Sequence, residues 1–227
     1  MTPELVKLDN APDLVEQVYH SLLDAICEGS FAPGRRITQE DIAAQLAVSR
    51  QPVLQALRLL KKDGLVLNAP GRGVLVAPLD AAWMVNVYQV RGALDALAAR
   101  LAAGTRYRID PKLIARGRKV AAGKNVKAMI DADMAFHGAI YAASHNPLIG
   151  QSANQHWSHL RRVMGAVLQR SRQREAIWDE HEAIAKAIAA GNGEKAALLI
   201  GQHAHNASEN LASTLTQVLA INQGHTP

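Results

Sequence analysis

Four side chains in the second half of the chain are of types that bind metal ions. Asp133 and His137 are four residues apart, so a helix would place the carboxylate and the imidazole on one face. His181 and His203 each share a face with apolar residues of a separate predicted helix. Taken singly, each histidine fits an ordinary core or surface position. Together, one carboxylate and three imidazoles suit Zn²⁺, Ni²⁺ or Mn²⁺, and they predict a divalent metal site.

A metal with four protein ligands can also accept an oxygen atom from a small molecule. Arg91 is a candidate partner for such a molecule, because its planar guanidinium can hold a carboxylate through two hydrogen bonds. Asp95 follows Arg91 by four residues, so an ion pair between the two on a helix surface is an alternative interpretation. The sequence leaves both interpretations open.

A second group of polar side chains opens a predicted helix in the first third of the chain. Ser49, Arg50 and Gln51 form the first turn of this helix, where exposed amides suit phosphate and side chains can meet base edges in the major groove. Arg72 lies between two glycines in a predicted turn, a position suited to the minor groove or the DNA backbone. These residues predict contact with double-stranded DNA.

The elements around these residues follow the order of a winged helix-turn-helix. Apolar periodicity predicts a helix over 12–29, a short second helix capped by Thr38, and a third helix capped by Ser49 that ends at Asp63-Gly64. Two short β-type runs, 65–67 and 74–76, then flank a loop rich in turn residues. We therefore assign residues 10–78 to a DNA-binding domain with a small β-hairpin wing.

The rest of the chain is predicted to be helical. Glycines and an Asn-Pro pair separate the apolar patterns, and we assign residues 82–221 to an effector- and metal-binding domain. His205 lies about 200° around its helix from His203, so it is predicted to face outward. The predicted helices span approximately 81–103, 110–122, 126–144, 147–170, 172–190 and 193–221.

Composition sets limits on the class of protein. The 227 residues suit two domains of modest size, no apolar run is long enough to span a membrane, and the N-terminus lacks signal-peptide features. A cytoplasmic protein is therefore expected. The net charge is +5, yet the first 80 residues carry eight basic and ten acidic side chains. The DNA-binding prediction consequently depends on the motif and not on overall basicity.

Residues 12–78 resemble the GntR family of transcription regulators. The matching segments are PGRRI at 33–37, E-x-x-A-A-x-L from Glu40, VSRQPVLQALRLLKKDGLV at 48–66 and GRG at 71–73. The resemblance implies that DNA is contacted by Arg36, Ser49, Arg50, Gln51 and Arg72. Leu54 and Gln55 stand where the family usually has Arg and Glu, which predicts an atypical operator sequence.

Residues 82–221 resemble the C-terminal ligand-binding domain of the FadR subfamily. The resemblance rests on VRGALD at 90–95, D-x-x-F-H at 133–137, Asn146-Pro147, EHEAIAKAIAAGN at 180–192 and His203. It implies an antiparallel all-helical bundle in which a divalent ion is bound by Asp133, His137, His181 and His203. Asp95 stands where the family has Glu.

Together these features predict a mainly α protein that regulates transcription as a homodimer. Its operator affinity would respond to a small carboxylate effector bound beside the metal, with Arg91 as an effector contact. Two alternatives remain: a metal-dependent hydrolase, and an architectural DNA-binding protein with a structural metal. The chain has neither a His-Asp dipeptide nor H-E-x-x-H, which disfavours the hydrolase.

Overall fold

The computed structural model describes residues 14–168 and 175–223. The chain divides into two compact units. The first comprises the described residues through Ile26 together with Ser30–Pro78, and the second comprises Cys27–Gly29 with the described residues from Leu79 onward. Position 10, with which the predicted DNA-binding domain begins, and the predicted ends of two helices at positions 170 and 172 lie outside the described residues.

The first unit is a three-helix arrangement with a small sheet. Its apolar core includes the predicted inward positions of the third helix, Val53, Leu57 and Leu60, all of which are buried. The elements are α1 (Leu14–Cys27), β1 (Arg36–Ile37), α2 (Gln39–Leu46), α3 (Arg50–Lys62), β2 (Val66–Asn68) and β3 (Val74–Val76).

The two predicted helix caps behave differently. The Thr38 hydroxyl accepts a hydrogen bond from the backbone amide of Asp41, which satisfies one of the free N–H groups at the start of α2. Ser49 occupies the N-cap position of α3, but its side chain makes no capping hydrogen bond. The predicted position of Ser49 as the N-cap of α3 is confirmed, and its hydroxyl lies at the exposed start of the helix.

The wing is a three-stranded antiparallel sheet in the order β1-β3-β2. The predicted hairpin forms by pairing of Val66 with Val76, and β1 adds a third strand by pairing Ile37 with Val74. Gly73 has a φ of +89°, and a Cβ atom there would lie 2.4 Å from the Ile37 carbonyl oxygen. Glycine at this position therefore allows the wing loop to approach β1 closely.

The second unit is a helical bundle, and the mainly α fold class is confirmed. Connections of three residues join α6 to α7 and α8 to α9, so each of these pairs is an antiparallel hairpin. α4 packs along α9, the longest of the helices that the structure describes. The helices are α4 (Ala81–Gly104), α5 (Pro111–Ala121), α6 (Val126–Ala143), α7 (Pro147–Val167), α8 (Ala176–Ala189) and α9 (Gly193–Gln223).

Two apolar clusters make up the interior of the bundle. One surrounds Phe136 and Ile184, and the other surrounds Trp157 and Leu215. The ring of His137 lies within 6 Å of the Phe136 and Trp157 rings, so polar side chains lie where the two clusters meet. Within the described residues, none of the helices has the length and hydropathy that crossing a membrane requires.

Candidate functional site

Three helices bring the four predicted metal ligands together inside the bundle. Asp133 and His137 lie one turn apart on α6, His181 lies on α8 and His203 lies on α9. One potential ligand atom from each residue lies within 4.8 Å of all the others. The spacing in the sequence predicted that Asp133 and His137 share one face of α6. Packing of α8 and α9 against α6 brings His181 and His203 to the same place.

The donor geometry fits a metal ion. The Nε2 atoms of His181 and His203 are 3.3 Å apart, and His181 Nε2 is 3.5 Å from Asp133 Oδ1. His137 Nε2 is buried without a hydrogen-bond partner and lies 4.0 Å from the same carboxylate oxygen. A buried imidazole nitrogen without a partner is costly unless something else binds it. A divalent ion bound by all four residues would satisfy this atom.

The protonation states also favour metal binding. Burial lowers the pKa of His137, and the charge of Arg91 acts in the same direction. Burial likewise places the pKa of His181 well below its ordinary value, with a further contribution from His203. Both imidazoles are therefore neutral at pH 7, the form in which imidazole binds metal ions.

Two carboxylates lie next to the Nδ1 atoms of the candidate ligand histidines. Asp95 Oδ2 is 3.5 Å from Nδ1 of His137, and Glu180 Oε2 is 2.7 Å from Nδ1 of His203. In each case the carboxylate is at Nδ1, which leaves Nε2 for the metal. The hydrogen bond with His203 lowers the pKa of Glu180. A carboxylate hydrogen-bonded at Nδ1, as Glu180 is to His203, fixes the tautomer and orientation of a metal-binding histidine. Asp95 is close to Nδ1 of His137 but makes no hydrogen bond with it.

Arg91 and Asp95 form an ion pair in the interior, so the expectation of a surface pair is wrong. The guanidinium Nε is 3.3 Å from Asp95 Oδ2, and the two residues are 2% and 1% exposed. Burial opposes the ionised form of Asp95, but Arg91 and His137 outweigh it and lower the pKa of Asp95 to about 2. The Arg91 guanidinium also lies 4.1 Å from the centre of the Trp157 ring. Arg91 is therefore a fixed positive charge in an apolar setting.

A cavity of about 490 Å³ opens beside these residues. Arg91, Asp133, Glu180 and His203 all line the cavity, together with the ring of Tyr88. The space therefore borders two candidate metal ligands and a buried guanidinium. A molecule with a carboxylate can reach both from this cavity.

The predicted DNA-reading residues lie on the surface of the first unit. Ser49, Arg50 and Gln51 are all exposed at the start of α3. Arg50 lies 3.6 Å from Glu40, a solvent-accessible ion pair that contributes little to stability and can exchange for a phosphate contact. The first turn of α3 is thus accessible to a nucleic acid.

Arg36 and Arg72 have different positions in the wing. The guanidinium of Arg36 donates hydrogen bonds to the backbone carbonyls of Pro70 and Arg72, so it ties β1 to the wing loop. The side chain of Arg72 is exposed. The geometry therefore gives Arg36 a role in holding the loop that presents Arg72.

Sequence reasoning missed several residues that the fold brings to these sites. The contact of Glu180 with His203 and that of Asp95 with His137 depend on how helices pack, and sequence spacing carries no signal for either. The hydroxyl of Tyr141 donates a hydrogen bond to Asp95.

Comparison with known proteins gives the same division of the chain. Residues 14–76 match the family described as bacterial regulatory proteins, gntR family, and residues 86–206 match the FCD domain. The chain is 26% identical over 219 residues to the HTH-type transcriptional regulator YdhC of Bacillus subtilis, covering 93% of this chain and 96% of that protein. It is 29% identical over 217 residues to the HTH-type transcriptional regulator LutR of Bacillus subtilis, covering 82% of this chain and 96% of LutR.

Solved structures show the same fold. E. coli McbR/YncC superposes with a TM-score of 0.77 at 19% identity, over 92% of this chain and 99% of that chain. A transcriptional regulator GntR from Rhodococcus sp. RHA1 gives a TM-score of 0.73 at 27% identity, over 88% of this chain and 97% of that chain. YdhC, LutR and the Rhodococcus protein are transcriptional regulators, so the hydrolase alternative is set aside. The chain belongs to the gntR family of bacterial regulatory proteins and is a transcriptional regulator that carries an FCD domain.

Proposed function

We propose that this regulator binds its operator as a homodimer and that a small organic acid, bound beside a divalent metal ion, controls the affinity. The observation that carries the proposal is the cluster of four buried ligand atoms within 4.8 Å, two of whose residues line the 490 Å³ cavity. Asp133, His137, His181 and His203 would hold Zn²⁺, Ni²⁺ or Mn²⁺, as in the FadR subfamily. The ion would supply an electrophilic position for one carboxylate oxygen.

Arg91 is the proposed second anchor for the acid. It lines the cavity and carries a permanent charge, and its planar fork suits a carboxylate. The ion pair with Asp95 and the Trp157 ring hold the guanidinium in place before any ligand arrives. A preorganised cation loses little conformational entropy when it binds an anion.

α4 provides a physical route from the cavity to the DNA-binding unit. This helix contributes Tyr88 and Arg91 to the cavity wall, and it begins at Ala81, three residues after the first unit ends at Pro78. An acid that binds one arrangement of α4 more tightly than another shifts the population of arrangements. Coupling of this kind is typically about 1–3 kcal/mol, or about 5- to 150-fold in affinity.

On the DNA side, we propose that Ser49, Arg50, Gln51 and Arg72 contact the operator. The exposure of the first turn of α3 and of the wing tip supports this assignment. Arg36 is proposed to act with them by holding the wing loop. Because these groups meet phosphates as well as bases, operator affinity should fall steeply as salt concentration rises.

An apolar stripe on α4 supports the proposed homodimer. Trp83, Val90 and Leu97 are spaced by seven residues, so they lie on one face of the helix, and all three are exposed. A row of exposed large apolar side chains typically marks a protein interface. Two-fold pairing of the chain would present two α3 helices to a two-fold operator.

The proposal is tested by binding of the protein to DNA from upstream of its own gene, followed by fluorescence anisotropy. Zinc-loaded protein is titrated with acetate, lactate, citrate and decanoate. At least one acid should change the operator Kd by about fivefold or more. The change should be absent in His203→Ala and retained in His205→Ala, which alters the exposed neighbour on the same helix. An acid response that survives in His203→Ala would overturn the metal's role.

The architectural alternative makes the opposite prediction. If the metal is only structural, chelation should lower the melting temperature while no acid in the panel changes either the melting temperature or the operator Kd. A ligand that binds only the folded state must raise the melting temperature. The large cavity beside the metal ligands favours the sensor over this alternative.

A further inference from the structure

One end of the cavity, which we call its base, is polar and is lined by Arg91, Asp133, Glu180 and His203. The remaining lining residues form a long wall. On α9 the lining residues of the cavity extend from His203 to Val218, a distance of about 22 Å along the helix axis. An engineered cavity of about 150 Å³ binds benzene, so a cavity of about 490 Å³ is larger than a two- or three-carbon acid requires. Most of the space lies beyond the reach of an acid bound only at the base.

The base of the cavity offers one anchoring point for a carboxylate. Among the described lining residues, Arg91 is the only lysine or arginine, and it is already paired with Asp95. The other charged lining groups are the carboxylates of Asp133 and Glu180. With a divalent ion present, the charges of the ion, Arg91 and the three carboxylates sum to zero, and the ion and Arg91 are the positive groups that one carboxylate can contact. A second carboxylate would find no described cation along the wall.

The wall beyond the base is largely apolar. Val167 and Leu168 from α7 and Ile177 from α8 lie along the cavity with Leu211 and Val218 from α9. Asn206, Asn210 and Thr214 form a polar strip on α9 beside this wall. The strip consists of neutral groups, which can hydrogen-bond to water or to a ligand but cannot balance a charge.

We propose that the effector is a monocarboxylic acid with an extended apolar body. This inference rests on the proposed function, because it takes the metal and Arg91 as the anchor for the carboxylate. The body lies along the wall formed by α7, α8 and α9. Since the described wall carries no second cation, we expect a dicarboxylate of the same length to bind more weakly.

The experiment measures binding of acids to zinc-loaded protein by titration calorimetry. Hexanoate, decanoate and sebacate are the probes, because sebacate has the length of decanoate and a second carboxylate. Each buried methylene should add about fourfold in affinity, so decanoate should bind at least about tenfold more tightly than hexanoate. It should also bind at least about tenfold more tightly than sebacate. Equal affinities, or tighter binding of sebacate, would overturn the inference.

Variants of the wall locate the apolar body. Leu211→Asn should weaken decanoate binding by at least about tenfold while leaving acetate and zinc binding unchanged. Leu198→Asn is the matched control, because this leucine is on the same helix, is 61% exposed and does not line the cavity. Val167→Thr provides a second, nearly isosteric change if Leu211→Asn fails to fold. Unchanged decanoate binding in both wall variants would contradict the assignment.

Failure of this inference can be distinguished from failure of the proposed function. If acetate or citrate binds and changes the operator Kd but chain length brings no gain, the effector class is wrong and the sensor remains. If none of the acids binds zinc-loaded protein or changes the operator Kd, both proposals fail together.

Discussion

At the scale of single residues, the candidate metal site depends on groups that are not themselves ligands. Glu180 is hydrogen-bonded to Nδ1 of His203 and so favours the tautomer with a free Nε2, whereas Asp95 lies 3.5 Å from Nδ1 of His137 without a hydrogen bond. The two differ in their surroundings. Glu180 is partly exposed and also accepts a hydrogen bond from Asn206, whereas Asp95 is fully enclosed and paired with Arg91.

The Glu180→Gln variant should bind zinc about 10- to 100-fold more weakly, because an amide holds the imidazole of His203 less firmly and makes it a weaker ligand. Competition with a chromogenic chelator measures this affinity. Glu209→Gln is the control, since it changes a well-exposed carboxylate on α9 that pairs with His205. A zinc affinity equal to that of the control would show that Glu180 does not support His203.

The Asp95→Asn variant should lower the free energy of unfolding by about 3–5 kcal/mol, because it leaves the Arg91 guanidinium as an unpaired buried charge. Urea denaturation of the metal-free protein measures the loss. Replacing both partners, as in Arg91→Met with Asp95→Leu, should recover much of that loss, since no isolated charge then remains. A double variant as unstable as the single one would contradict this account.

The sequence predicted the four candidate ligands but not the carboxylates next to them. Asp133 and His137 share a face by helical spacing, and His181 and His203 lie on apolar faces. The local pattern was therefore sufficient to predict these four residues as candidates. The contact between Glu180 and His203 requires the register of α8 against α9. The burial of Arg91 and Asp95 also depends on tertiary packing, because an i,i+4 ion pair looks the same in sequence whether it is buried or exposed.

At the scale of elements, α5 supports the candidate site through a ring on α8. Trp178 packs edge-on against His181 with ring centroids 4.6 Å apart, and it lies directly over Gly117 of α5. A Cβ atom at Gly117 would lie 2.1 Å from the Trp178 ring. Glycine is therefore what allows α5 to approach α8 at Trp178.

Gly117→Ala should destabilise the protein by about 1–3 kcal/mol and weaken zinc binding, because Trp178 must move and His181 packs against it. Thermal melting and zinc titration report the two effects. Gly138→Ala is the matched control: this glycine is exposed on α6, has open space around it, and should be neutral or stabilising by up to about 1 kcal/mol. Similar behaviour of the two variants would contradict the proposed packing role.

The order and extent of the elements followed closely from periodicity and caps. Predicted helix ends agree with the structure to within a few residues wherever Gly, Pro or Asn marks the boundary, as at Asn146-Pro147. The strand β1 was not predicted, because two residues carry no periodic signal and the strand is defined only by its pairing with β3. Local chemistry fixes helix ends, whereas an isolated short strand depends on its partner.

At the scale of the whole molecule, the proposed regulation depends on two DNA-binding units that act together on one operator. A single α3 helix reads one short half-site, and two-fold pairing adds the contacts of a second half-site. α4 is apolar on two sides, since Met84 and Val87 are buried while Val90 is 50% exposed. The exposed side is the surface through which we expect two copies to pair.

Val90→Glu combined with Leu97→Glu should convert the dimer to a monomer, because pairing would bring like charges from both copies onto one apolar interface. Sedimentation velocity measures the change in mass, and anisotropy should show at least about a tenfold loss of operator affinity, since the second half-site is no longer held in place. The zinc affinity should be unchanged, because neither residue belongs to the ligand cluster. Leu148→Glu, at a 66% exposed position on α7 outside the stripe, should remain dimeric. If the double variant sediments as the wild-type protein does, the α4 stripe is not the pairing surface, and the two DNA-binding units must be brought together by another part of the chain.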